Sequence, residues 1–319
     1  MDLSQNNNRI RSWLLEGDAA IQFQTRRDLF QTAPEVLDRL QSRIAREGWG
    51  KRLLTAQRPD GHWGRGFYQP KWTSTHYTLL DLRNLGIERR HPAVSRAIDL
   101  ILDHELGKDG GVNPSPAITH SDICINGMFL NYAAYFRTQE KKLSSIVDLI
   151  ISQQMADGGF NCRRNRSGAR HGSLHSSICV VEGIREYLSG GYRYKRSALQ
   201  RAEKAAREFI LLHRLFLSDR TGEVIDQRFL TFRYPFRWHY DILRALDYFR
   251  ESGVALDDRM NPALEALLNK RKRDGRWTSP APYPGETHLT MEKTGAPGRW
   301  NTLRALRVLS HFGVPFDAP

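Results

Sequence analysis

Apolar residues recur along this chain with a helical period. Leu143, Ile146, Val147, Ile150 and Ile151 fall at i, i+3, i+4, i+7 and i+8, one stripe down a single helix face. Val94, Ala97, Ile98, Ile101 and Leu102 repeat that spacing. A second set of segments is polar in its first turn and apolar around most of its circumference, the pattern of a buried helix. These are Thr75-His-Tyr-Thr-Leu-Leu80, Asp122-Ile-Cys-Ile-Asn-Gly-Met128, Leu174-His-Ser-Ser-Ile-Cys179, His239-Tyr-Asp-Ile-Leu243 and Arg299-Trp-Asn-Thr-Leu303. The pattern predicts six inner helices near 18–31, 73–86, 122–136, 173–188, 237–251 and 299–312. It predicts six outer helices near 4–15, 34–47, 91–105, 139–154, 197–213 and 260–272. No alternating segment competes for a strand, and no linker separates the helix pairs. The expectation is an all-α chain folded as one domain over residues 1–319.

A repeating turn punctuates the helices. Gln57-Arg-Pro-Asp-Gly-His-Trp63, Lys108-Asp-Gly-Gly-Val112, Gln154-Met-Ala-Asp-Gly-Gly-Phe160 and Lys272-Arg-Asp-Gly-Arg-Trp277 share an Asp-Gly pair followed by an apolar residue. Their glycines, 61, 110, 158 and 275, are 49, 48 and 117 residues apart, and the degenerate Asp219-Arg-Thr-Gly222 falls in the long gap. In such a turn Gly takes positive φ and the next side chain plugs the core. Trp63, Phe160 and Trp277 are therefore expected to be buried plugs.

These turns carry a resemblance. Gln57-x-x-Asp-Gly-x-Trp63 resembles the turn motif of squalene and oxidosqualene cyclases, and Gln154-x-x-Asp-Gly-Gly-Phe160 resembles its counterpart in protein prenyltransferase β-subunits. The resemblance covers essentially the whole chain. It implies a single-domain (α/α)6 toroid of six inner and six outer helices. It also implies an enzyme, a transferase or cyclase acting on an isoprenoid or other apolar small molecule in a central cavity. A repeated turn speaks to architecture more than to chemistry. A lipid- or peptide-binding toroid without catalysis, or a carbohydrate-active six-fold helical enzyme, stays open beside it.

In a toroid of this kind the first turns of the inner helices surround one mouth. Asp122, Asp241, His239 and Tyr240 are the catalytic candidates there, the two aspartates because an apolar cavity raises a lone carboxyl toward acid work. His76, Trp72, Trp238, Trp300, Asn301 and Arg299 are the substrate-binding candidates. The resemblance to prenyltransferases, which carry Asp-x-Cys at one inner-helix start and His at the next, implies a zinc site at Asp122, Cys124 and His175. His175 lies 51 residues beyond Cys124, close to one repeat. Carboxylate, thiolate and imidazole are competent zinc ligands, with Cys162 or His239 open as a fourth. The competing reading makes Asp122 a helix cap and Cys124 a small buried hydrophobe. Two departures matter. Gly111–Ser121 holds none of the Arg or Lys that prenyltransferases place before Asp-x-Cys, and the basic loop Arg163, Arg164, Arg166 and Arg170 reads as solvated. The Asp-rich acid segment of the squalene cyclases is missing too.

Composition narrows the classes. Hydrophobic residues make up 40% with mean hydropathy −0.55, and no window reaches the roughly 18 apolar residues of a membrane span. The opening MDLSQNNNRIRSWLLEGD does not read as a signal peptide, and three cysteines suit a reducing cytoplasm. The 48 Lys and Arg against 35 Asp and Glu leave a charge of +13, but they are spread over nearly every helix. They are expected on solvated faces, with no nucleic-acid partner. No partner subunit is deducible.

Overall fold

The computed structural model describes residues 3–115 and 117–315, and they are all-α: fourteen α-helices, with only three isolated β-bridges among the described residues. The inner-type helices are α2 (Ala19–Leu29), α5 (Thr75–Leu85), α7 (Ile123–Tyr135), α10 (Leu174–Ser189), α12 (Ile242–Glu251) and α14 (Arg299–His311). The outer type comprises α1 (Leu3–Leu15), α3 (Pro34–Ile44), α6 (Pro92–His104), α8 (Glu140–Ser152), α11 (Arg196–Leu212) and α13 (Asn261–Leu268). Two helices were not anticipated, α4 (Gly48–Thr55) and the short α9 (Arg163–Ser167).

The inner helices contact one another in cyclic order. α5 packs on α7, α7 on α10, α12 on α14 and α14 on α2. Between α10 and α12, Arg244 donates to both Glu182 oxygens at 2.8 and 2.6 Å. Between α2 and α5, the Gln24 amide donates to the Asn84 and Leu85 carbonyls. The tightest approach is α7 on α10, at facing glycines. A Cβ on Gly127 would lie 2.6 Å from the Cys179 carbonyl oxygen, and one on Gly183 would lie 2.3 Å from that of Gly127. This crossing sets the helix starts carrying Asp122 and His175 beside each other.

The Asp-Gly turns are built as the repeat predicts. Gly61, Gly110, Gly158 and Gly275 all have φ between 79° and 90°. Each turn's Asp accepts the amide two residues on, and Trp63, Phe160 and Trp277 are at most 1% exposed. The plugs are hydrogen-bonded as well as packed. Trp63 Nε1 donates to the Leu53 carbonyl and Trp277 Nε1 to that of Leu267, each ten residues upstream. The backbone amides of the three plugs donate to Thr75, Ser177 and Thr302 in the first turn of the next inner helix. Gln57 and Gln154 each span from the turn glycine carbonyl to the following outer helix. The turns that carry the glutamine thus tie the next inner and the following outer helix together through satisfied polar groups.

Three boundaries differ from expectation; the simplest is the helix predicted over 260–272, which ends at Leu268. The helix predicted over 34–47 stops at Ile44, and a new one starts at Gly48, whose φ is +60°. There the Asp18 carboxylate, already capping α2 through Ala20 N, also accepts from Trp49 N. The helix predicted from 237 starts at Ile242. Pro235 disfavours helix in the residue before it, and Arg237 has φ +57°.

Candidate functional site

The starts of α7 and α10 open onto a cavity of about 810 Å³. Asp122, Cys124, Cys162, His175, Trp238 and His239 all line it, although they span 117 residues of sequence. The other candidates lie elsewhere. Asp241 is a buried N-cap whose carboxylate accepts from Arg244 N at 2.8 Å. The Tyr240 hydroxyl is buried and donates to the Leu215 carbonyl. His76 is fully buried, its Nδ1 at 3.2 Å from the Tyr132 hydroxyl and its ring packed edge-on against Phe67. Trp72 is buried and donates to the Pro284 carbonyl, Asn301 is buried and donates to those of Phe232 and Thr278, and Arg299 lies over the Trp13 ring. Trp300, in the first turn of α14, lines a second cavity whose wall also includes the last turns of α2, α5 and α10.

At the mouth each chemical group already has a protein partner. Asp122 occupies the cap position of α7 without making a cap bond; its carboxylate pairs with Arg166 from the loop that reads as solvated in sequence. Burial nevertheless pushes the Asp122 carboxyl up, against Arg166 and Lys71. The Cys162 sulfur accepts from Cys124 N at 3.2 Å and from the Ser176 hydroxyl at 3.4 Å. The hydrogen bond from the Cys124 thiol outweighs burial and draws the Cys162 thiol down, while it and burial push Cys124 up. His175 Nδ1 accepts from Tyr240 N at 2.9 Å, and burial takes this imidazole down to about 4. His239 is sandwiched between Trp238 and Tyr283 at 3.8 and 3.7 Å, and burial takes it down to about 3.

This arrangement bears on zinc. A ligating histidine ordinarily donates its other ring N–H to an acceptor, which leaves the metal-facing nitrogen bare. His175 Nδ1 instead accepts an amide N–H, so the proton of the neutral ring sits on Nε2. Asp122 is committed to Arg166. Among the described residues no group of three His, Cys, Asp or Glu side chains is placed to hold a metal ion. As they stand, these residues do not fit a zinc ion.

Sequence reasoning missed Tyr68, Lys71, Asp226, Arg228 and Phe229, which also line the cavity. Tyr68 and Lys71 come from the loop after the first Asp-Gly turn; the Tyr68 hydroxyl meets that of Tyr77 at 3.1 Å, and Lys71 lies over the Trp72 and Trp238 rings. Their one sequence signal is a basic residue set between aromatics, Tyr68-Gln-Pro-Lys-Trp72. No helix among the described residues is long and apolar enough to cross a membrane. No family model matches the chain, and no curated protein matches it.

Proposed function

We infer that the chain is an α/α toroid of the terpenoid-cyclase and prenyltransferase kind, and that the cavity at the starts of α7 and α10 is its active site for an apolar, isoprenoid-like small molecule. The observation that carries this reading is the convergence of Asp122, Cys124, Cys162, His175, Trp238 and His239 on one cavity from four separate segments. The cyclic packing order and the repeated turns support the toroid. Phe229 and Trp238 offer apolar surface, and Asp122, His175 and His239 offer groups for proton transfer. No step is assigned to zinc, because the ligand set is committed elsewhere.

A second reading is favoured by that same commitment. With Asp122 paired and His175 Nδ1 occupied, the cavity suits a binding module without catalysis. A carbohydrate-active enzyme is not favoured, since Asp122 and Asp226, which line the cavity, are each held in an ion pair, with Arg166 and Arg228, instead of standing free as an acid and a nucleophile or base.

The test uses an isoprenoid alcohol, farnesol, and its turnover by the whole chain. Binding that weakens at least tenfold in Trp238→Ala, with product formed by the parent and lost in Asp122→Asn, supports the enzyme. Binding without product in any assay supports the binding module. No binding of farnesol, or binding indifferent to Trp238→Ala, overturns the site. Zinc content of chain purified without chelator, compared with Cys124→Ala, decides the metal separately.

A further inference from the structure

The second cavity, about 460 Å³, lies between the last turns of α2, α5 and α10 and the helices α12 and α14, and shares no lining residue with the first. Its wall is dominated by arginine, nine against five carboxylates. The carboxylates are all engaged. Asp28 bridges Arg27 and Arg307, and Asp247 bridges Arg250 and Arg307. Glu182 holds Arg244, Glu186 holds Arg83, and Glu251 holds Arg185. Helix C-termini carry about half a negative charge each and absorb part of the arginine excess, so charge alone decides nothing.

Hydrogen bonding decides. Arg304 is 2% exposed; its Nε is ion-paired with Asp247 at 3.5 Å and its guanidinium lies over the Tyr234 and Phe236 rings, yet none of its three nitrogens makes a hydrogen bond. Trp300 Nε1, Arg83 Nε and Arg185 Nε are also buried without a partner. All four residues line this cavity, and each of these unpartnered atoms is a donor. A buried donor left without a partner is costly, more so when it is charged. A mixed set of orphan donors and acceptors would suit a neutral polar ligand; donors alone suit an anion. Guanidinium forks match tetrahedral and planar oxyanions, and the volume is within the range of small-molecule sites.

We propose that this cavity is an anion site for a compact, multiply charged phosphate-type oxyanion, held by Arg304 with Trp300, Arg83 and Arg185. It is independent of the isoprenoid reading and of the first cavity.

Calorimetric titration of the full chain with inorganic diphosphate tests it, with inorganic phosphate and acetate as comparison anions. The expected result is one diphosphate per chain, tighter than phosphate and far tighter than acetate. Affinity should fall about tenfold or more in Arg304→Met and several-fold in Trp300→Phe. The second variant keeps the ring and removes one donor, so it carries the test if Arg304→Met fails to fold. Absence of diphosphate binding by the parent overturns the proposal. So does affinity unchanged in both variants, or affinity lost in Arg166→Ala at the other cavity instead.

Discussion

The two ends of the inner helices keep buried titratable groups in opposite ways. At the helix starts the ionisable rings are neutral: His76, His175 and His239 are pushed down to about 3, 4 and 3 by burial. At the helix ends the charges are kept and matched. The carboxyls of Asp28 and Glu251 are both held down to about 2 because surrounding arginines outweigh burial. Removing a charge and pairing it are alternative answers to the same desolvation cost. One end is therefore soft toward mild acid and the other only toward strong acid.

The largest effect should come from breaking what both ends share, the turn plug. Trp277→Ala is expected to cost about 3–5 kcal/mol, read as a lowered denaturation midpoint with unchanged slope. An unchanged midpoint would dissociate the turns from stability.

Breaking the paired end should cost nearly as much. Asp247→Asn leaves Arg307 and Arg250 without their shared carboxylate, at about 3–5 kcal/mol. Arg304→Met should act in the other direction. Without added anion it removes a buried guanidinium that makes no hydrogen bond and only a 3.5 Å ion pair with Asp247, and stability should rise by about 1 kcal/mol. A loss of several kcal/mol there would show that Arg304 is held by the protein alone.

Acid separates the ends. Asp28 and Glu251 have folded values below their unfolded 3.8 and 4.5, so their contribution is complete above about 4.5 and is lost as pH falls toward about 2. His76 has a folded value of about 3 against 6.5, so the unfolded chain binds the proton first. Its burial therefore subtracts stability progressively as pH falls from 6.5 toward 3. The stability difference between His76→Phe and the parent should grow over that window in favour of the variant; a difference flat with pH would refute the neutral-ring account.

The smallest effects compare two aspartates at equivalent inner-helix starts. Asp241→Ala removes a made cap and should cost about 1 kcal/mol. Asp122→Ala removes only a pair with Arg166, which is 57% exposed, and should cost a few tenths. Equal costs would erase the distinction between cap and site.

Those aspartates also mark how far sequence carries. Helix type and turn were legible because apolar period and Asp-Gly chemistry are local, and Trp63 and Trp277 follow from both. Asp122 and Asp241 look alike in sequence, since each precedes an apolar helix; only the loop bearing Arg166 tells them apart. The arginines were the larger miss. Arg27, Arg83 and Arg250 sit in last turns, where a basic residue is ordinary on any exposed helix. The available signal was Arg304 and Arg307 inside a helix apolar on every other side, where no solvated face exists.

The docking of α14 onto α2 has a kinetic consequence. Arg307 meets Asp28 across 279 residues, so this contact cannot help until nearly every other repeat is in place. Local helix pairs assemble cheaply, while so distant a contact must first meet the entropy of a very long loop. A chain lacking α14 leaves one flank of α2 uncovered, and such half-closed species are the ones prone to associate with one another. The arginine-lined chamber is complete only when that helix has docked, since Trp300, Arg304 and Arg307 all come from it.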